Sequence, residues 1–417
     1  MQMLETTEKE LMKHDSDVAG SLLVLLGEDW VAQNQVGVIG NMKDDSASWS
    51  RGSTQSQSTG FSSGVGVGSA RPAGPESQGY EDNRANSNLH GLRECLTAAD
   101  SWRFNVFELE AETDGLPLQV LAWHLFVKHD LIKEFNLDHV KLVSFLRHIE
   151  AGHHDNPYHN STHVADVLQS FHWLVLEGGV RQYITKFEVL CGIIASIVHD
   201  FEHKGFNNDF LIKTQDEWAI DSNDRSPNEN HHLAAAFRIL RDPESNFIHR
   251  MPATQQAALR KLVIDLVLAT DMAEHIGIVS KLKTDLLKQM ETAQEDELTN
   301  ADNTPDVVKT LILQGAIKVA DIGHLYAQQA VHIQWAERLE EEMWLQGDVE
   351  KDREMKMSFL MDRDKPGVTK SQPGFVDFVV RPLFETWVAC FPRCNVLMNS
   401  LNDNYAYWKS KEGGEAK

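Results

Sequence analysis

A chain of 417 residues, 42% hydrophobic and 24% charged, carries enough apolar side chain for one large core or two average ones. Its net charge of −23 excludes a general binder of nucleic acid or anionic membrane, since both need basic surface to displace counterions. A small anionic substrate stays open, because one metal site reverses the local potential.

The N-terminal MQMLETTEKE is acidic and polar, unlike a signal peptide. The apolar run from Leu22 to Leu26 falls far short of the about 20 residues that span a bilayer, and no later stretch reaches that length without charges. A short amphipathic helix near residues 20–34 could serve docking or autoinhibition. Residues 43–88 are dominated by Ser, Gly, Gln and Asp, too polar to offset their ordering entropy. Residues 1–90 are therefore expected to be mostly disordered, and any regulatory partner they have is not readable. From 91 to 410 the pattern is helical nearly throughout, and 411–417 reads as a disordered tail. Apolar residues recur at three- and four-residue spacings over 117–135 and 139–152. The stretches 186–200 and 306–323 are apolar on most faces, which predicts central buried helices. Without strand alternation, Asn-Gly hairpins or an internal repeat, the fold class is all-α. Cys95, Cys191, Cys390 and Cys394 show no CxxC pairing, and Cys191 sits in an apolar run; reduced thiols and a cytoplasmic location follow.

Of 19 histidines, 8 lie between positions 148 and 203. His159 and His163 are four apart, a spacing that on a helix puts both on one face. His199-Asp200 follows an apolar helix and so reaches the edge of the core, where a metal would be dry enough to polarise a water. Asp321 ends the second buried helix in the same way. Imidazoles with carboxylates suit zinc, magnesium, manganese or iron. The acidic runs Glu340-Glu341-Glu342 and Asp348 to Glu354 read as solvated helix faces, Glu342 excepted.

The run Asn156-Pro157-Tyr158-His159-Asn160-Ser161-Thr162-His163-Val164-Ala165-Asp166 resembles the histidine motif of class I cyclic nucleotide phosphodiesterases. So does His199-Asp200-Phe201-Glu202-His203-Lys204-Gly205-Phe206-Asn207-Asn208, an HD-x-x-H-x-G-x-x-N pattern. Asn223 to Ser226, Glu229 to His232, Ala269 to Met272, Ala320 to Ile322 and Ser371 to Phe378 then match in order, so the resemblance covers roughly residues 95–410. It implies a compact multi-helix, HD-domain-like catalytic domain that hydrolyses cAMP, cGMP or both to nucleoside 5′-monophosphates. It further implies that His163, His199, Asp200 and Asp321 hold a tight metal, usually zinc. Asp200 would bridge to a weaker one, magnesium or manganese. His203 and Glu229 would fix the waters around the metals, and a hydroxide shared between the ions would attack phosphorus. His159 would be the general acid, with Glu342 keeping it protonated. Gln372 would meet the purine edge, Phe375 would stack on the base, and Tyr158, Asp271, His324 and Trp335 would line the pocket. A homodimer is compatible with this reading.

Three positions depart from the pattern: Leu325 and Pro373 stand where proline and a β-branched residue are common, and Phe359 where a Ser-Pro turn is common. Two other functions compete: an HD-domain phosphohydrolase of other phosphoesters, and a silent cyclic-nucleotide sensor. The YHNSTH and SQPGF segments weigh against the first. The filled ligand and acid positions weigh against the second.

Overall fold

The computed structural model describes residues 90–292, 301–365 and 367–412. The expected disordered region before residue 90 and the helix near 20–34 lie outside the described residues. The helices that build the core are α1 (Pro117–Lys128), α2 (His139–Gly152), α3 (Ser161–Leu176) and α4 (Lys186–Val198). They are followed by α5 (Pro227–Arg241), α6 (Ala253–Val267), α7 (Asp306–Asp321) and α8 (Gln329–Asp352). The last are α9 (Val368–Phe375), α10 (Arg381–Cys390) and α11 (Asn395–Glu412). Among the described residues there is no strand, and no helix is long and apolar enough to cross a membrane. The fold is all-α, as its apolar periodicity predicts.

Helix α3 is the axis. Every residue from Thr162 to Val175 is buried, and α1, α4 and α7 pack around it. Two of its polar members are satisfied from outside: Gln169 Nε2 donates to the carbonyls of Ala99 (2.8 Å) and Ser101 (2.9 Å), and His172 Nε2 meets Asp100 at 2.9 Å. Buried polar groups are as a rule paired, and an exception calls for an explanation. A capping box starts α4: Phe187 N–H donates to Thr185 Oγ1, and Thr185 N–H donates to Glu188. The two helices meet at Gly192, where a Cβ would fall within the ring of Phe171. Gly192→Ala should therefore lower stability, because overpacking costs about 1–3 kcal/mol against a propensity gain of at most ~1 kcal/mol. A higher denaturation midpoint in that variant would contradict the α3–α4 contact.

Two boundaries differ from expectation. The stretch 117–135 is not one helix: α1 stops at Lys128, and Asp130 takes a left-handed conformation (φ 58°) before a short turn over Leu131–Glu134. At the other end α11 runs to Glu412, two residues into the expected tail. The consequence that matters is at one end of the core. There α3 begins, while α4 and α7 end at His199 and Asp321, so two helix C-termini bring carbonyl dipoles that favour a cation.

Candidate active site

Asn160 decides the local geometry of the first histidine motif. Its side chain caps α3, accepting from the N–H groups of Thr162 and His163 at 3.0 Å each. His163 is thus in the first turn, and His159 lies before the helix, not on it as the four-residue spacing predicts. The two rings still sit 5.7 Å apart because the cap folds the chain back.

His163, His199, Asp200 and Asp321 converge. One donor atom from each lies within 4.8 Å of all the others. His163 Nε2 is 3.4 Å from Asp200 and 3.4 Å from Asp321; His199 Nε2 is 3.2 Å and 3.4 Å from the same carboxylates. His199 Nδ1 donates to the Ser196 carbonyl at 2.9 Å, which leaves its Nε2 as the lone-pair side. Nε2 of both histidines is buried without a hydrogen bond. Two orphaned imidazole nitrogens facing two carboxylates form a donor set that fits a divalent cation. Burial alone would lower both imidazoles, but the Asp200 and Asp321 charges outweigh it and raise them. Burial likewise opposes the carboxylates' ionisation, and the histidines override it to hold Asp200 and Asp321 well below the usual range.

Beside this cluster His159 pairs through Nδ1 with Glu342, which is 4% exposed although it sits in an acidic run. The second Glu342 oxygen accepts from the N–H groups of Tyr158 (2.8 Å) and His159 (2.9 Å). Burial pushes His159 down, but the Glu342 charge lifts it to about 9; Glu342 itself, despite burial, is drawn to about 2 by His159. His203 stacks on His159 at 4.0 Å and accepts from Gly205 N–H through Nδ1. Burial first, and then the His159 charge, hold His203 well below its ordinary value. The two stacked rings are therefore pushed in opposite directions, His159 toward holding its proton and His203 toward losing it. Burial and then the Asp271 charge raise Glu229 to about 7, while Asn208 donates to it at 3.0 Å. Ser226 Oγ donates to Asp271 at 2.7 Å.

The model for 3′5′-cyclic nucleotide phosphodiesterase matches residues 158–401, a stretch that contains every residue just described. The chain belongs to this family. Among similar proteins is the probable 3′,5′-cyclic-AMP phosphodiesterase pde-4 of Caenorhabditis elegans, 35% identical over 75% of this chain and 46% of that one. Another is the dual specificity calcium/calmodulin-dependent 3′,5′-cyclic nucleotide phosphodiesterase 1B of Mus musculus, 39% identical over 70% of this chain and 52% of that one. The chain spans about half the length of these curated relatives. Among solved structures, the phosphodiesterase domain of the Salpingoeca rosetta rhodopsin phosphodiesterase shares 27% identity at a TM-score of 0.68. That match covers 75% of this chain and 91% of that one.

The remaining expected residues fall on α9, on α8, on the 3-10 turn after α7 and on the segment just before α3. Gln372 and Phe375 lie on α9, with Gln372 buried and its Oε1 without a partner, and Phe375 half-buried against the core. Pro373 sits inside α9, which passes directly into a π-helical turn over Val376–Val380. Tyr158 packs on the rings of His163 (4.6 Å) and His324 (5.8 Å); Trp335 is fully buried behind Tyr158. Leu325 continues a 3-10 turn over Gly323–Tyr326, and Phe359 is 82% exposed. All three departures from the family pattern lie outside the four-donor cluster.

Sequence reasoning missed three residues here. His232 points Nε2, buried and unpartnered, at Asp200 (3.8 Å), with Nδ1 bound to the Phe201 carbonyl. Its spacing of three from Glu229 on α5 was the available signal. Asn156 Nδ2 ties the carbonyls of His159 (2.8 Å) and His203 (2.7 Å) together. Glu350, expected on a solvated face, is 1% exposed and accepts from Ser358 N–H (2.7 Å), Ser358 Oγ (2.6 Å) and Gln346 (2.9 Å).

Proposed function

We propose that this chain hydrolyses the 3′,5′-cyclic phosphodiester of cAMP, cGMP or both to the nucleoside 5′-monophosphate. What carries the reading is the four-donor cluster lying beside a histidine that a buried carboxylate keeps protonated. His163, His199, Asp200 and Asp321 would hold a tight metal, zinc by its fit to nitrogen and carboxylate donors. Asp200 would reach a second, magnesium or manganese, with His203 and Glu229 fixing the waters around it. Bound there, such ions ionise water near neutral pH and draw charge from a phosphoryl group.

The protein's own part is orientation and proton delivery. A water oxygen joins phosphorus and the P–O3′ bond breaks, while phosphate stays on the 5′ oxygen. The ribose 3′-alkoxide is a poor leaving group, so His159, held by Glu342 through Nδ1, gives its Nε2 proton to that oxygen. Gln372 would bond the purine edge and Phe375 would stack on the base, with Tyr158, Asp271, His324 and Trp335 shaping the cleft. A glutamine amide that turns can offer its oxygen to adenine or its nitrogen to guanine, which favours neither nucleotide. The cysteines among the described residues are buried and form no disulfide, which supports a cytoplasmic setting.

Purified protein given cAMP and cGMP separately should release 5′-AMP or 5′-GMP, and a chelator should stop it. Turnover unchanged by chelator, or release of a 3′-monophosphate, would overturn the assignment. Hydrolysis of other phosphoesters alone would favour the broader HD-domain class.

A further inference from the structure

The reaction scheme does not use Lys318, the most deeply buried lysine among the described residues. Lys318 lies on α7, one turn before Asp321, and is 1% exposed. A charge in that position must find partners or it is costly to bury. Its partners are three successive backbone carbonyls: Nζ lies 3.2 Å from Ala269 O, 3.1 Å from Thr270 O and 3.3 Å from Asp271 O. An ammonium has three protons, and here three acceptors meet them. The carbonyls belong to the 3-10 turn Leu268–Thr270 and to Asp271, where the chain leaves α6. Oxygens converging on one point repel one another unless a cation sits between them. The turn that carries Asp271 is thus shaped around a side chain from the helix that carries Asp321.

We propose that Lys318 is a positioning residue that holds the Asp271 turn in register with Asp321, and through it sets affinity for the weaker divalent cation. The inference rests on the proposed metal reading. Asp271 is otherwise held within its own turn and by one side chain: Glu274 N–H donates to its carbonyl (3.1 Å), Ala273 N–H (2.9 Å) to one carboxylate oxygen and Ser226 Oγ (2.7 Å) to the other, so Lys318 is the tie to α7. Glu229 feels the Asp271 charge and, on the proposed reading, would help order the second ion's waters, so a displaced Asp271 would change their surroundings. Residues that orient a metal site from behind its ligands are typically worth about 10–100-fold in affinity.

The test is Mn²⁺ titration of the full chain with its tight metal in place, followed by the electron paramagnetic resonance of free Mn²⁺. Lys318→Met should keep the tight metal by elemental analysis and bind Mn²⁺ about tenfold more weakly. In an Asp271→Asn background the same substitution should add almost nothing, since the two act in series. Lys318→Arg, whose planar fork cannot serve three converging carbonyls equally, should show a smaller loss with the same dependence on Asp271. It carries the test if Lys318→Met does not fold. Unchanged Mn²⁺ affinity, or an equal loss in the Asp271→Asn background, would overturn the proposal while leaving the metal reading intact. Failure of the unaltered protein to bind Mn²⁺ would overturn both.

Discussion

Asp200→Ala should lose bound metal and turnover together. Asp200 lies 3.4 Å from His163 Nε2 and 3.2 Å from His199 Nε2 on one oxygen, and its other oxygen faces His232 Nε2. No other carboxylate of the cluster reaches three imidazoles. Removing one preorganised electrostatic contact already costs an enzyme about 10²–10³-fold, and losing the cations removes several at once, so the fall should exceed about 10³-fold. Metal affinity should also weaken as pH falls. The imidazoles of His163 and His199 hold protons more tightly than usual, and those protons must leave before a metal enters. Elemental analysis beside cyclic nucleotide turnover checks the claim, and a variant that turns over normally would refute it.

His159→Ala is expected to separate the two properties: metal stays, and turnover falls about 10²–10⁴-fold. The loss should shrink for a phosphodiester with an acidic phenol as leaving group, which needs no proton. The pH profile supplies a sharper check. His159 is raised to about 9, so the competent acid is lost as pH rises through that value, or somewhat lower once divalent cations stand beside it. Glu342→Gln should move the alkaline limb of kcat to lower pH, and an unmoved limb would show that Glu342 does not set the acid. The same pair stabilises the fold. The His159 contribution is complete below its ordinary value of 6.5 and is lost as pH rises through about 9. That of Glu342 is complete above 4.5 and is lost as pH falls through about 2.

Much of this architecture is legible in the chain because apolar periodicity reports burial directly. Helix α2 spans the predicted 139–152, and α4 delivers His199-Asp200 to the edge of the core as its apolar run implies. Local spacing misleads where a cap intervenes: His159 and His163 share a neighbourhood through the turn at Asn160, not through a helical face. Charged residues are the other blind spot. Glu350 sits in an acidic stretch of α8 yet is buried, because Ser358 meets it, whereas Glu342 stands apart from its acidic run only through the family resemblance. Lys318 looks like an ordinary helical lysine, and its acceptors are supplied by a turn 47–49 residues earlier. Partners that distant leave no local trace in composition or period.

The account stands on one place where two imidazoles and two carboxylates meet a cation. Anomalous diffraction from crystals of the active protein, recorded at the zinc edge, would locate that cation directly. The expected peak lies about 2.0–2.2 Å from His163 Nε2, His199 Nε2, Asp200 and Asp321. A fully active protein with no peak between those four side chains would contradict it.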